Sequence, residues 1–200
     1  MCPAPARSDY ACCHSRVDNV RSQEERNDER RRTFLHAGID LLGAVDGPAV
    51  NVRAVCAAAG VTERYFYQCF GDRDSFVRSV YEHVASEAHT ALADTSGDPA
   101  RAVAAFVTLM VDDPRRGRVL LIAPFADQAL SSAGFGAVPA FVGLVSEHLP
   151  ADLDEVDRRL TATAVVGALT GLFTSYLRGE LDVDRDRFVA HCVSVTGRRL

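Results

Sequence analysis

Apolar residues recur three and four positions apart along most of this sequence, and that spacing predicts helices. No stretch alternates apolar and polar residues as a half-exposed strand does. Gly, Pro, Asp and Thr residues separate the apolar stripes and supply helix starts and stops. The pattern therefore predicts an all-α chain of about nine helices, at approximately residues 23–44, 51–60, 62–71, 72–92, 98–110, 115–122, 140–148, 152–178 and 184–195.

Turn-forming residues and changes of pattern divide the chain. Residues 1–24 are polar and show no period, so we expect a flexible arm there. The stretch Thr95–Pro99 has turn chemistry throughout and follows the helix at 72–92. We predict one domain at residues 25–71 and a second at residues 72–200, with the helix at 72–92 linking the two.

The stretch from Val50 to Arg73 predicts two short helices joined by a tight turn. Asn51 and Thr62 are N-cap residues, whose side-chain oxygens can accept from N–H groups of the first helical turn. Gly60 can end the first helix because glycine enters the left-handed region without a Cβ penalty. The residues on the buried side of the two helices are Val52, Val55, Cys56, Phe66, Cys69 and Phe70.

The opposite face of the second short helix carries polar and aromatic side chains. At about 100° per residue, Arg64, Tyr67 and Gln68 point away from the buried face, with Glu63 and Tyr65 on its flanks. A guanidinium, a phenol and an amide are groups that bind phosphates and base edges. Exposure to solvent alone explains outward tyrosines poorly. The pattern predicts a helix-turn-helix whose second helix enters the major groove of DNA.

Residues 34–81 resemble the DNA-binding region of the tetracycline-repressor (TetR/AcrR) family of transcriptional regulators. The run VRAVCAAAGVTERYFYQCFGDRDSF, from Val52 to Phe76, is similar to the family pattern Val-Arg-x-Ile-Ala, Ala-Gly-Val-Ser, Leu-Tyr-x-x-Phe and a Lys in the next cap. The matching positions are Val55 for Ile, Gly60-Val61-Thr62 for Gly-Val-Ser, Phe66-Tyr67 for Leu-Tyr, Phe70 for Phe and Arg73 for Lys. The chain departs from the family at Val50, where a phosphate-binding Thr is common, at Cys56, where Ala is usual, and at Asp46, where the turn Gly is usual.

The resemblance implies a ligand-responsive regulator, a repressor in the first place, that binds a palindromic double-stranded operator as a homodimer. Arg73 would hold a phosphate beside the second short helix, and Tyr67 resembles the family's backbone-contacting Tyr. The full set of expected DNA contacts is Arg53, Thr62, Glu63, Arg64, Tyr65, Tyr67, Gln68 and Arg73. Arg30, Arg31 and Arg32 are either a solvated charge run or further phosphate contacts, and residues 1–24 are either plain disorder or a basic arm on the DNA.

The second domain carries a stripe of small and apolar residues on the helix at 152–178. Small side chains let helices approach closely, so this stripe is either intramolecular core or an interface. The resemblance implies a four-helix dimer interface formed with the helix at 184–195. Its expected residues are Thr161, Ala164, Val165, Ala168, Leu172 and Ser175.

The resemblance also implies a cage of helices that encloses an effector. The apolar candidates for its wall are Phe106, Met110, Ile122, Phe125, Phe135 and Phe141. Core packing explains each of these residues equally well. We expect a small, mainly apolar or amphipathic ligand of unknown identity.

Charge and composition fit a regulator in the cytoplasm. The net charge of −5 belongs to residues 81–200, because residues 1–80 hold 11 Arg and 11 acidic residues. The DNA-binding part can therefore be neutral overall and still gather its arginines on one face. No run of 18 apolar residues suggests a membrane span, and no signal peptide is recognisable, so we expect a cytoplasmic protein without a membrane partner.

No enzyme motif is present. GxSxG, HExxH and P-loop patterns are absent and the six histidines are scattered, so we expect neither catalysis, nor a metal site, nor a cofactor. The six cysteines form no CxxC pair and suggest reduced thiols. One alternative that remains is a redox- or metal-responsive regulator of the same fold that uses its cysteines, for example at Cys12-Cys13-His14. The others are a transcriptional activator and a purely structural helical protein.

Overall fold

A computed structural model describes residues 10–45 and 50–197. Within these ranges the chain is helical and contains no strand, as the sequence predicts. The helices are α1 (Tyr10–Leu42), α2 (Val52–Ala59), α3 (Glu63–Phe70), α4 (Arg73–Ala93), α5 (Pro99–Met110), α6 (Pro114–Leu121), α7 (Ala123–Ala126), α8 (Ser131–Glu147), α9 (Glu155–Leu177) and α10 (Arg185–Gly197). A single 3-10 turn, Gln128–Leu130, joins α7 to α8.

The first helix is longer than the sequence predicts. It begins at Tyr10 and not near Gln23, so the expectation of a flexible arm over residues 1–24 is wrong for residues 10–24. The physical reason is that no proline lies between Tyr10 and Leu42, and nothing else in this polar stretch ends a helix. Residues 1–9 of the predicted arm and Asp46, which stands where the turn Gly is usual, lie outside the described residues.

The segment 131–139, which has no assignment from the sequence, belongs to the same helix as residues 140–147. Gly134, Gly136 and Pro139 all disfavour a helix locally, which hides it from pattern analysis. Tertiary packing overrides them, because α8 lies against α9 and α4. Gly134 also serves the packing, since a Cβ at this position would come within 2.7 Å of the Pro124 Cβ in α7.

The N-terminal unit is held together by phenylalanines from three helices and a valine from a fourth. Phe34 of α1 meets Phe66 of α3 edge to face, with ring centroids 5.7 Å apart. Phe76 of α4 lies 4.9 Å from Phe70 of α3, again edge to face. Val55 of α2 is fully buried in the same cluster. The core therefore fixes α3 by one face and leaves its other face outside.

Two contacts tie this unit to the second domain. Along α4, Phe76, Val77 and Val80 are buried first and Val84 and Ala88 follow, and the helix packs against α1 and α3 as well as α5, α6 and α8. The end of α1 also touches α6. A Cβ at Gly43 would come within 2.4 Å of the Arg115 carbonyl oxygen, and Arg118 donates to the Gly43 carbonyl at 3.2 Å. The N-terminal unit is therefore joined to the second domain through both α4 and α6.

Candidate DNA-binding surface and ligand cavity

The helix-turn-helix geometry follows from local signals. The Asn51 side chain accepts from the Ala54 N–H at 2.9 Å and starts α2. Gly60 has a φ of +64°, in the left-handed region, and Val61 N–H donates to the Cys56 carbonyl at 3.1 Å. Thr62 occupies the N-cap position of α3, but its side chain makes no capping hydrogen bond, so that part of the prediction is wrong. Asp72 caps α4 by accepting from Ser75 N–H at 2.7 Å.

The face of α3 that turns away from the phenylalanine core carries the side chains that the sequence predicts. Thr62, Glu63, Arg64 and Gln68 are exposed, and Tyr67 is 51% exposed. Arg53 of α2 is also exposed and its Nε lies 3.9 Å from a Glu63 carboxylate oxygen, near the start of α3. One short helix thus presents a guanidinium, a phenol and an amide together on one surface.

Tyr65 is less exposed than the other predicted DNA contacts on α3. It is half-buried, and the guanidinium of Arg30 from α1 lies 4.3 Å from the centre of its ring. Arg31 is held over the Phe70 ring and donates to the Cys69 carbonyl at 3.3 Å. Two of the three arginines in the run at 30–32 therefore pack on α3 from behind. The contacts of Arg30 and Arg31 help to position α3. Arg32 makes no such contact among the described residues and is exposed.

The Arg73 guanidinium is already paired with groups of the same chain. Its Nη1 lies 3.1 Å from Oδ1 of Asp127, and its Nη2 donates to the second carboxylate oxygen of the same residue. Its Nε donates to the Val50 carbonyl at 3.1 Å, and Nη1 also reaches Asp74 at 3.0 Å. The guanidinium holds the pKa of the Asp127 carboxyl below its usual range. The role of Asp127 is not visible in the sequence, since no local pattern links positions 54 residues apart.

A cavity of about 300 Å³ lies in the second domain. Helices α4 to α10 contribute to its lining, which is mainly apolar. Three of the six predicted wall residues line it, namely Phe106, Phe125 and Phe141. Met110 and Ile122 are not among the lining residues, and Met110 is fully buried in the core. The side chain of Phe135 lies outside the described part of the chain.

Most polar groups around the cavity are already bonded to the backbone. The Thr95 hydroxyl donates to the Leu92 carbonyl at 2.6 Å, the Thr170 hydroxyl donates to the Val166 carbonyl at 2.8 Å, and His148 Nδ1 lies 2.8 Å from the Leu144 carbonyl oxygen. Asp98 accepts from the first turn of α5. Among the described residues, no arginine lines this cavity.

Tyr81 is the exception among these polar groups. The residue is 4% exposed and lines the cavity, and its hydroxyl has no hydrogen-bond partner among the described residues. Burial raises its pKa, so the hydroxyl is neutral and can both donate and accept. No fully buried side-chain oxygen or nitrogen among the described residues lacks a partner, so the Tyr81 hydroxyl keeps some accessible surface, and a ligand in the cavity can hydrogen-bond to it. The cavity therefore offers a mainly apolar wall in which the Tyr81 hydroxyl is available to a ligand.

The exposed face of α9 differs from the predicted dimer stripe. Ala164 and Ala168 are exposed as expected, but Val165 is buried in the chain's own core, because it lies on the inner face of α9. Thr161, Leu172 and Ser175 are half-buried. The apolar surface that remains open on α9 includes Val156 at 67% and Leu160 at 63% exposure. Gly167 and Gly171 continue it, and a Cβ at either glycine would meet open space.

Two stretches, Gln128–Glu147 and Glu155–Leu177, are long and apolar enough to cross a membrane, as judged by length and composition only. Core helices of water-soluble proteins pass the same test, so the result is weak evidence. Both stretches pack in the helical second domain, where α8 lies against α9.

The cysteines give little support to a sensor. Burial raises the pKa of the Cys56 thiol and raises that of Cys192 to about 11, so neither thiol forms a thiolate readily. In the described part of the chain, no group of three or more His, Cys, Asp or Glu side chains is placed to hold a metal ion. Cys2 lies outside the described residues, as do the side chains of Cys12, Cys13 and His14.

Comparison with solved structures identifies the architecture. The fatty acid degradation regulator FadR from Bacillus halodurans matches with a TM-score of 0.66 at 14% identity, over 83% of this chain and 97% of that chain. NalD, the secondary repressor of the MexAB-OprM multidrug efflux pump in Pseudomonas aeruginosa, matches at 0.63 and 19% identity, over 84% and 94%.

The TetR-like transcriptional regulator LfrR from Mycobacterium smegmatis, solved in complex with proflavine, matches at 0.54 and 23% identity, over 85% of this chain and 96% of that chain. No family model matches the sequence, and no curated protein is significantly similar to it. These structural matches cover most of both chains, so the likeness extends to both domains. This chain has the fold of the TetR-family transcriptional regulators.

Proposed function

We propose that this protein is a transcriptional regulator that binds double-stranded DNA through α3 and acts as a repressor in the cytoplasm. The observation that carries the proposal is the division of α3 into two faces. Phe66 and Phe70 are locked into the phenylalanine core, while Arg64, Tyr67 and Gln68 are exposed together on the other side. A short helix that is rigidly held and polar outside suits the reading of base edges.

The protein binds DNA as a homodimer in this proposal. The open apolar surface of α9, from Val156 and Leu160 to Gly171, is the face that a second copy would cover. Glycines and alanines allow a helix of the partner to approach closely. A two-fold dimer places two copies of α3 on a palindromic operator.

The ligand in this proposal is a small neutral, mainly apolar molecule with one hydrogen-bonding group. The cavity walls are mainly apolar, and no arginine among the described residues lines them. The Tyr81 hydroxyl has no hydrogen-bond partner among the described residues. LfrR binds proflavine within the same fold, which supports a ligand in this domain. Binding releases the DNA if the ligand prefers the dimer conformation with low DNA affinity.

The experiment is a titration of labelled DNA from upstream of the protein's own gene, beside a scrambled duplex of equal composition. We expect the upstream duplex to bind about a thousandfold more tightly or better at moderate salt. A reporter gene behind the same DNA should be silenced. Activation of the reporter would mean that the regulator works as an activator, and equal, weak binding of both duplexes would count against sequence-specific regulation by this DNA.

A further inference from the structure

The guanidinium of Arg73 is engaged on several of its edges. Four of its five N–H groups can serve the contacts to Val50, Asp74 and the two oxygens of Asp127. The side chain remains 34% exposed, so it lies at the surface and within reach of another anion. An arginine that is paired in this way cannot at the same time make a bidentate contact to a phosphate.

Asp127 is mostly buried and is held in the position where it pairs with Arg73. Its side chain is 14% exposed, and one oxygen also accepts from the Ala129 N–H at 3.0 Å. That backbone bond fixes the carboxylate at the start of the 3-10 turn and aims it at α4. A carboxylate offers two oxygens with nearly the spacing of two phosphate oxygens, so it presents the same bidentate partner to a guanidinium.

We propose that Asp127 is an intramolecular competitor for the DNA phosphate that Arg73 binds. In the conformation described here, Asp127 holds Arg73 and lowers the affinity of the protein for DNA. DNA binding exchanges one anion for the other, because Arg73 turns from the carboxylate to the phosphate. This inference rests on the proposed function, since it concerns the same DNA-binding surface.

The segment that carries Asp127 is also a wall of the ligand cavity. Pro124 and Phe125 precede it and Ser131 follows it, and all three line the cavity. A ligand that holds this segment in its present position keeps Asp127 on Arg73 and so opposes DNA binding. The cavity thereby has a direct physical connection to a residue on the DNA-binding side of the molecule.

The test uses the full-length chain and the variant Asp127→Asn, which keeps the acceptor for Ala129 and removes the charge. Fluorescence anisotropy over a series of salt concentrations measures binding to the upstream duplex and to the scrambled duplex. A phosphate contact is independent of sequence, so D127N should tighten binding to both duplexes about fivefold or more at low salt. The slope of log K against log salt should steepen by about one unit.

Asp112→Asn is the matched control. Asp112 also holds an arginine with both oxygens, Arg185 at 2.9 and 2.8 Å, but it lies between α5 and α10. D112N makes the same change of net charge and should leave the slope unchanged. In the Arg73→Ala background, D127N should lose most of its effect, and this coupling separates competition from general repulsion between Asp127 and DNA.

Every outcome supports or overturns the competition between Asp127 and the DNA phosphate for Arg73. Unchanged or weaker binding by folded D127N, or an equal gain in D112N, overturns the competition. Should D127N fail to fold by circular dichroism, Asp127→Ser retains an oxygen for the Ala129 N–H and must show the same gain. Failure of the wild type and D127N to bind either duplex would overturn the proposed function as well, whereas wild-type binding with no gain in D127N would remove this inference alone.

Discussion

Phe34 and Phe66 meet edge to face with their ring centroids 5.7 Å apart, and this contact holds α3 against α1. Both side chains are fully buried. Phe66→Ala removes this contact and leaves a cavity, so we expect a loss of about 3–5 kcal/mol in the free energy of unfolding. Gln68→Ala, two positions along α3 on the exposed face, should change stability by less than about 0.5 kcal/mol. Urea denaturation of both variants checks the division of α3 into a core face and an outer face; equal stability losses would contradict it.

Arg64 is expected to contribute specificity more than affinity. Arg64→Ala should reduce the preference for the upstream duplex over the scrambled duplex by about 1–3 kcal/mol, as the loss of a base contact does. Arg101→Ala removes an exposed arginine from α5 in the second domain and is the control for net charge. Titrations on both duplexes measure the preference. If R64A weakened both duplexes by the same factor, Arg64 would contact only the DNA backbone.

The proposed dimer makes a prediction about α9. Ala168→Arg places a charge on the exposed small-residue face, and burying it without a partner would be costly. We expect this variant to sediment as a monomer at concentrations where the wild type is a dimer. Ala104→Arg, at an exposed position of α5, is the matched control and should remain dimeric. An unchanged dimer for A168R would place the interface elsewhere.

Ligand chemistry can be tested at Tyr81. Tyr81→Phe removes only the hydroxyl that lacks a described partner, so the fold should be kept and the hydrogen bond to the ligand lost. The neutral dye N-phenyl-1-naphthylamine should fluoresce in the cavity, and 1-decanol should displace it more readily than decanoate, because the described lining offers no arginine to an anion. Y81F should bind 1-decanol about 5- to 10-fold more weakly, at about 1 kcal/mol for a neutral hydrogen bond. Better displacement by decanoate would contradict a neutral ligand.

The ion pair between Asp127 and Arg73 predicts an acid dependence of stability. Arg73 lowers the pKa of Asp127 in the folded state below the unfolded value of about 3.9. The pair therefore stabilises the fold above about pH 4, and this contribution is lost as the pH falls through the folded-state pKa. Asp127→Asn should be less stable than the wild type by about 1 kcal/mol at pH 7, and this difference should shrink as the pH falls through the folded-state pKa of Asp127. Thermal unfolding across this range checks the sign, and a constant difference at every pH would contradict it.

The helix-turn-helix was predictable because its determinants are local. The Asn51 cap, the left-handed Gly60 and the helical spacing of Phe66 and Phe70 all lie within a few residues of what they control. The long-range partners were not predictable in this way. Asp127 is 54 residues from Arg73, and only the folded domain brings the two charges together.

The errors in the helices have a common cause. Gly136 and Pro139 have low helix propensity, so the local sequence did not predict a helix through them. Packing against α9 and α4 nevertheless stabilises α8. On α9, small residues occur on more than one face, so the spacing alone could not separate buried Val165 from exposed Ala164 and Ala168. Which face of a helix meets the core depends on its neighbours, and a single sequence does not specify them.

One titration decides whether the outer face of α3 binds DNA, as we propose. The variant Arg64→Ala/Tyr67→Ala/Gln68→Ala is compared with the wild type on the upstream duplex, with Arg101→Ala/Thr108→Ala on the exposed face of α5 as control. Circular dichroism and sedimentation first establish that all three proteins are folded and share one oligomeric state. We predict that the α3 variant loses at least about a hundredfold in affinity while the α5 control binds as the wild type does. Wild-type affinity in the folded α3 variant would show that the outer face of α3 does not bind the DNA.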